Sequence, residues 1–355
     1  MRPRRLDAVI AFASVVAVAL VAGTPAPAEA HTVAGVQPTN YRSEILAVTP
    51  AVAGLRLRLL DLGRRIELVN HTSTEVVVFG YQGEPYLRVG PAGVFENRRS
   101  PSLYQNRPLP FGASTTTLPP QADAAATPTW HKISSGHVAR WRDRRTRWEG
   151  KASEIVRGTH GRTRVVVTSW TIELRHGGRP VLVDGRITWM PPGSPLPWLA
   201  VALALLVAAV VMARAQRWGR LLAGCVAVLV ATDLVRTIGQ TTASHDALGV
   251  EVARALLGGI FSLAAWLVGA ASIGWLQQED DGGLIGAAAA GLVIAIFGGL
   301  TDIPVLSRSQ LPFAFPGVID RAAVAVSLGI GLGVAAGAVL RLREPFRLRG
   351  RAASP

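Results

Sequence analysis

Cysteine and lysine are nearly absent from this 355-residue chain, and each scarcity removes a class of chemistry. The single cysteine, Cys225, lies inside an apolar run, so the polar part of the chain has no disulfide, no thiolate metal site and no cysteine nucleophile. Only Lys132 and Lys151 are lysines, which leaves arginine to carry almost all of the +14 formal charge. Arginine-rich, lysine-poor usage follows from a GC-rich genome by itself. In a chain facing outward it also suits anionic lipid headgroups or envelope polymers rather than nucleic acid. Catalytic signatures are missing too: there is no Gly-x-Ser-x-Gly elbow, no His-Glu-x-x-His pair, no phosphate loop and no dinucleotide fingerprint. The expectation is a protein that is not an enzyme.

What is present divides into a polar front half and a very apolar back half. Residues 1–30 read as a secretory signal: Arg2, Arg4 and Arg5, an apolar run over 8–22, then Ala28-Glu29-Ala30, the small-x-small pattern before a cleavage that would leave His31 first. Arg4-Arg5 continues as Leu-Asp-Ala, a poor twin-arginine match, so general secretion is expected. Residues 31–190 carry short alternating, β-branched runs at 55–60, 64–69, 75–81, 86–89, 164–174 and 180–190, divided by Gly, Pro and Asn. This spacing predicts an extracytoplasmic all-β, sandwich-like domain with Trp170 and Trp189 as core anchors and a long Pro, Thr and Ala loop over 107–129. A Pro-rich linker follows at 191–197, and Trp198 stands where an interfacial aromatic belongs.

Residues 198–341 predict a membrane α-helical bundle of about five transmembrane helices, with spans at 197–213, 219–238, 250–275, 283–301 and 320–341. A basic cytoplasmic tail, 342–355, closes the chain. Signal cleavage puts the mature N-terminus outside, so five crossings put the C-terminus inside. Arg214, Arg217, Arg220 and the tail arginines then fall on the inner side, as the positive-inside rule asks.

Three groups of residues invite a functional reading. A histidine at a free N-terminus offers an amine and an imidazole together, and one more imidazole would complete a three-nitrogen set that suits Cu(II). His31 is therefore the first candidate ligand, with His71, His131 and His137, and also His160 and His176, as candidates for the third nitrogen. The segment Arg140-Trp-Arg-Asp-Arg-Arg-Thr-Arg-Trp148 could grip phosphate or carboxylate through Arg142, Arg144, Arg145 and Arg147 with Trp141 and Trp148; a charged edge strand with its tryptophans packed inward is the plainer account. The turn-rich stretch from Gly80 through Glu84, Tyr86, Glu96 and Asn97 to Tyr104 could line a binding surface, or be strand and turn architecture. Within the apolar half, Asp233 and Arg236 share one helical face. His245, Asp246, Glu251 and Arg254 follow in the next loop and helix start, Asp302-Ile-Pro304 breaks the chain after the fourth span, and Asp320-Arg321 opens the fifth. They could form a relay or ligand cluster at the outer face; helix-end ion pairs are the simpler reading.

At His31-Thr-Val-Ala-Gly-Val-Gln-Pro-Thr-Asn-Tyr, Gly80-Tyr-x-Gly-Glu-Pro-Tyr-Leu-Arg-Val, Phe95-Glu-Asn-Arg-Arg-Ser-Pro and Trp189-Met-Pro-Pro, the chain resembles a group of actinobacterial envelope multi-pass membrane proteins of unassigned activity. The likeness covers the exported domain, and the helices in layout. These proteins look like companions of CopC-type and YcnI-type copper proteins, which also begin their mature chains with histidine, so the resemblance implies copper handling by association. The group tends to carry histidines where this chain has Arg142, Arg144 and Arg147; a metal site there would be lost, and any remaining site would rest on His31. The leading expectation is a membrane-anchored exported domain that binds a ligand, copper first. An envelope scaffold docking on anionic polymer, lipid or a partner protein is the rival, and small-solute or ion transport through the helices is third.

Overall fold

The computed structural model describes residues 36–107, 117–243, 249 and 259–343. The leader, its cleavage site, His31, the groups His245, Asp246, Glu251 and Arg254, and all of the basic tail beyond Arg343 lie outside the described residues. The chain separates into two compact units, one spanning Thr39–Pro192 and the other containing everything from Gly193 onward.

The first unit is an antiparallel β-sandwich. Its strands are β1 (Tyr41–Thr49), β2 (Leu55–Leu60), β3 (Arg65–Asn70), β4 (Val76–Phe79), β5 (Pro85–Gly90), β6 (Gly93–Asn97), β7 (Trp130–Ser134), β8 (Val138–Arg142), β9 (Val165–His176) and β10 (Arg179–Trp189). Two short helices, α1 (Pro101–Gln105) and α2 (Glu154–Gly158), lie in the connections. One sheet runs β1-β10-β9-β4-β5-β6-β7 and the other β2-β3-β8.

Alternation decides which side chains meet between the sheets. Ile66 and Leu68 of β3, with Ala139 and Trp141 of β8, share one core with Val76, Val78, Leu87, Val89, Val94, Ile172, Leu174, Val181, Val183 and Ile187 of the larger sheet. Trp170 joins that core as expected, and it lies across Gly185, its cross-strand neighbour, where no side chain could fit. On the outward face of the small sheet, Glu67 stands between two arginines on its neighbouring strands, accepting from Arg58 Nε at 2.6 Å and Arg140 Nε at 2.7 Å. The β9–β10 hairpin turns on Gly177-Gly178, both at positive φ, which a two-residue turn of this hand requires.

The second unit holds five helices long and apolar enough to cross a membrane: α3 (Leu196–Arg214), α4 (Trp218–Thr242), α5 (Ile260–Gln277), the span Asp281–Leu306 and α7 (Gly317–Leu342). The span Asp281–Leu306 is not one regular helix: α6 (Asp281–Ile294) passes into a π turn, Ala295–Gly299, and then a 3-10 stretch, Leu300–Leu306. The expected break at Asp302 thus becomes a change of helical period, and Asp302 sits inside the span rather than after it.

Small residues set how closely the helices approach. Gly329, Gly333 and Gly337 form one face of α7 and meet Ala202, Ala209 and Ala213 of α3, while Gly331 on another face meets the backbone of Gly291 in α6. A Cβ on Gly333 would lie 2.7 Å from that of Ala209, and one on Gly291 2.7 Å from the Gly331 carbonyl oxygen. With two such faces α7 is the central helix, and far more of it is buried than of α3.

Candidate functional site

Pairing of β3 with β8 brings two of the predicted histidines together. His71 follows β3 and His137 precedes β8; the Asn70 amide donates to the His137 carbonyl at 3.0 Å, and the two rings stand 6.1 Å apart between centroids, tilted by 58°. Both are exposed. His176, at the end of β9, contacts the Thr72 hydroxyl through Nε2 at 3.0 Å, one residue along from His71. His131 is elsewhere, on the edge strand β7 opposite Glu96. Among the described residues, no group of three or more His, Cys, Asp or Glu side chains is arranged to hold a metal ion.

The arginine and tryptophan segment is largely satisfied by its own carboxylates. Trp141 is buried in the core and its indole donates to Asp143 Oδ2 at 3.2 Å. Asp143 is buried as well and takes Arg145 through Nε at 2.9 Å and Nη2 at 2.8 Å, with the Arg145 guanidinium 4.9 Å above the Tyr81 ring. Arg144 and Arg147 both pair with Glu149. Arg142 ends β8 opposite Arg65, and Trp148 stacks on Tyr41 at 5.8 Å. β8 is an edge strand with its tryptophan turned inward, and Arg140 on it is paired with Glu67.

The turn-rich stretch forms a buried clasp. Glu84 Oε1 accepts from the hydroxyls of Ser100 and Ser102, each at 2.7 Å, and from the Ser102 amide at 3.2 Å, while Oε2 accepts from the Gln82 amide at 3.0 Å. Gly80 leaves the room for this, since a Cβ there would strike both Glu84 and Ser102. Asn97 is buried and ties the Pro85 carbonyl to the amides of Arg99 and Thr129. The Tyr81 hydroxyl accepts from the Arg144 amide at 2.8 Å and donates to Asn106. Burial, with the Asp143 carboxylate nearby, pushes the Tyr81 phenol well above its ordinary pKa.

Glu84 and Glu67 are both held below the usual carboxylate range. Burial alone would raise each; hydrogen bonds from Ser102 and Ser100 outweigh it at Glu84, and those from Arg58 and Arg140 outweigh it at Glu67. A carboxyl with a depressed folded pKa contributes stability that is present above its unfolded value. That stability goes as pH falls from about 4.3 through the folded value. The β unit is therefore expected to hold its stability down to about pH 4 and to lose it below. Thermal unfolding at stepped pH should show a shallower acid loss in Glu84→Gln, and an unchanged slope would contradict the low-lying carboxylate.

In the second unit four buried charged side chains come together. Arg236 of α4 donates through Nε to Asp320 of α7 at 2.7 Å, and through Nη1 to Asp302 at 2.7 Å and to the Gly298 carbonyl in the π turn at 3.0 Å. Asp233, one turn earlier, accepts from the Trp266 indole of α5 at 2.8 Å. Arg236 and the three aspartates are each no more than 5% exposed. Asp233 lies nine residues, or roughly 13 Å, inside the C-terminal end of α4. Arg236 pairs with Asp302 and with Asp320, which lies in the first turn of α7, so ion pairing involving a helix end does occur, but it runs across three spans; Trp266 and Gly298 enter the cluster from ordinary apolar runs. No protein-family model, no curated protein and no solved structure matches this chain.

Proposed function

We propose that this is a non-enzymatic membrane protein whose β unit faces outward and binds a transition-metal ion, copper before others, while the helices hold it at the membrane. The observation that carries the reading is the meeting of His71 and His137 at the β3–β8 junction. Imidazole nitrogens suit Cu(II), and two of them on one rim supply half of a tetragonal set. The amine and imidazole of His31, once freed by cleavage after Ala30, would supply the other half; companion proteins of the CopC and YcnI type would deliver or receive the ion. Docking on anionic polymer through Arg142, Arg144, Arg145 and Arg147 has less support, because Arg145 is bound to Asp143 and Arg144 and Arg147 to Glu149.

Titration of the detergent-solubilised mature protein with Cu(II), followed by the visible d–d band, tests the proposal. His71→Ala and His137→Ala should each weaken binding by about tenfold or more, and His31→Ala likewise. His131→Ala and His160→Ala should leave it as it was. Unchanged affinity in the His71→Ala, His137→Ala double variant would remove the metal reading. A reporter fused after Pro355 that proved extracellular would remove the orientation.

A further inference from the structure

Asp233 differs from its two neighbouring carboxylates. The guanidinium of Arg236 directs its bonds to Asp302, Asp320 and the Gly298 carbonyl, whereas the partners of Asp233 are neutral: the Trp266 indole and the Ser262 hydroxyl. An ionised carboxylate inside a membrane span with no cation bonded to it is costly, and the cost is relieved by a bound cation or proton.

Two further features point to the same place. Ser327 Oγ, on α7, is fully buried and has no hydrogen-bond partner. A Cβ on Gly298 would lie 2.8 Å from Asp233 Oδ1, 3.4 Å from Ser327 Oγ and 3.6 Å from an Ile294 methyl, so this glycine lets the carboxylate and the hydroxyl crowd against the same point of the π turn. Gly298 belongs to the π turn, where the regular ladder of backbone bonds is interrupted, a feature that recurs at functional sites in helices. A buried hydroxyl without a partner, set against the same glycine as a buried carboxylate, is a polar group left for an occupant to satisfy.

We propose that these two oxygens bind a small monovalent cation: a proton carried on Asp233, or Na+ shared by Asp233 Oδ1 and Ser327 Oγ. The charges around them favour a cation over an anion. From α4 comes Arg236, from the 3-10 stretch Asp302 and from α7 Asp320, while α5, α6 and the π turn add no charged side chain facing Asp233 among the described residues. Arg236, already engaged by two of the carboxylates, disfavours a divalent ion. The site is independent of the histidine pair, so either reading can fail without the other.

The Trp266 indole, bonded directly to Asp233, is the reporter. Full-length protein in nanodiscs would be titrated with acid in choline buffer, then with NaCl replacing choline at fixed alkaline pH and constant ionic strength. Subtracting the emission of Trp266→Phe isolates this indole from the other eight of nine tryptophans. The wild type should show a transition that Asp233→Asn, which keeps the shape and an acceptor for the indole, lacks. If the occupant is Na+, Ser327→Ala should weaken the Na+ response by about tenfold, the loss of one good oxygen contact, and Gly298→Ala should weaken it too by pressing a methyl against Asp233 Oδ1. If it is a proton, Na+ should have no effect and Ser327→Ala should move the midpoint by less than about half a pH unit. A wild-type signal flat to both Na+ and acid between about pH 5 and about pH 9, or a transition that persists in Asp233→Asn, would overturn the site.

Discussion

Replacing Arg236 by leucine is expected to leave little folded protein. The guanidinium is the shared partner of Asp320, Asp302 and the Gly298 carbonyl, so its removal strips a counter-charge from two carboxylates on two other spans at once. Removing one member of a buried ion pair costs about 3–5 kcal/mol, a large part of the 5–15 kcal/mol that typically separates folded from unfolded chains. Arg236→Lys should recover only part of the loss. An ammonium is a point charge on a flexible stem, and it cannot place donors along the two directions that Nε and Nη1 take here. The informative control is rescue: Arg236→Leu combined with Asp302→Asn and Asp320→Asn removes every charge of the network together, and should restore much of the stability because buried ion networks can often be replaced by neutral side chains. The fraction eluting as a single species in detergent, and its unfolding midpoint, would measure all three. An Arg236→Leu protein as stable as wild type would show that the network does not hold these spans together.

The parts of this fold that could be read from the sequence are those in which one local pattern decides the outcome. Alternation at 55–60 gives β2 with matching ends, and the long runs at 164–174 and 180–190 give the β9–β10 hairpin because its turn is two glycines. Five apolar stretches give five helices for the same reason. β1 was harder: it is an edge strand with polar and apolar residues mixed on both faces, so no clean period of two marks it. The clasp around Glu84 was opaque for another reason. Glu, Asn and Ser in a turn-rich stretch look like surface residues, and only the approach of Ser100 and Ser102 across the turn shows that the carboxylate is interior.

Long-range pairing accounts for the rest. That His71 and His137 meet depends on β8 choosing β3 across a separation of some seventy residues, and nothing near either histidine encodes that choice. Asp233 and Arg236 on one face of α4 were legible by their spacing, but their partners are supplied by other spans. The π turn and 3-10 stretch that keep Asp302 inside the fourth span are helical forms for which an apolar run carries no periodic signal.

The glycines of α7 yield the second large effect. Gly329, Gly333 and Gly337 recur every four residues, which places them in one row, and the row fits against Ala202, Ala209 and Ala213 of α3. Lipid tails are as apolar as leucine, so close van der Waals approach, rather than hydrophobic exclusion from water, must hold α3 to α7. A Cβ on Gly333 would come within 2.7 Å of both the Ala209 Cβ and the Leu206 carbonyl, and a branched side chain could be seated only by moving the helices apart. Gly333→Val is therefore expected to cost about 1–3 kcal/mol from overpacking, with further loss from the contacts given up along the row. Gly333→Ala should cost less. Gly224, on α4, supplies the comparison, since a Cβ there meets nothing within 4 Å. Gly224→Ala should be neutral or stabilising by up to about 1 kcal/mol, because alanine is the better helix former. Unfolding midpoints of the variants in one detergent would separate the two contributions. The same glycine-to-alanine change in the same kind of helix differs in outcome only through what stands opposite, so equal midpoints for Gly333→Ala and Gly224→Ala would mean that the α3–α7 contact does not depend on the row.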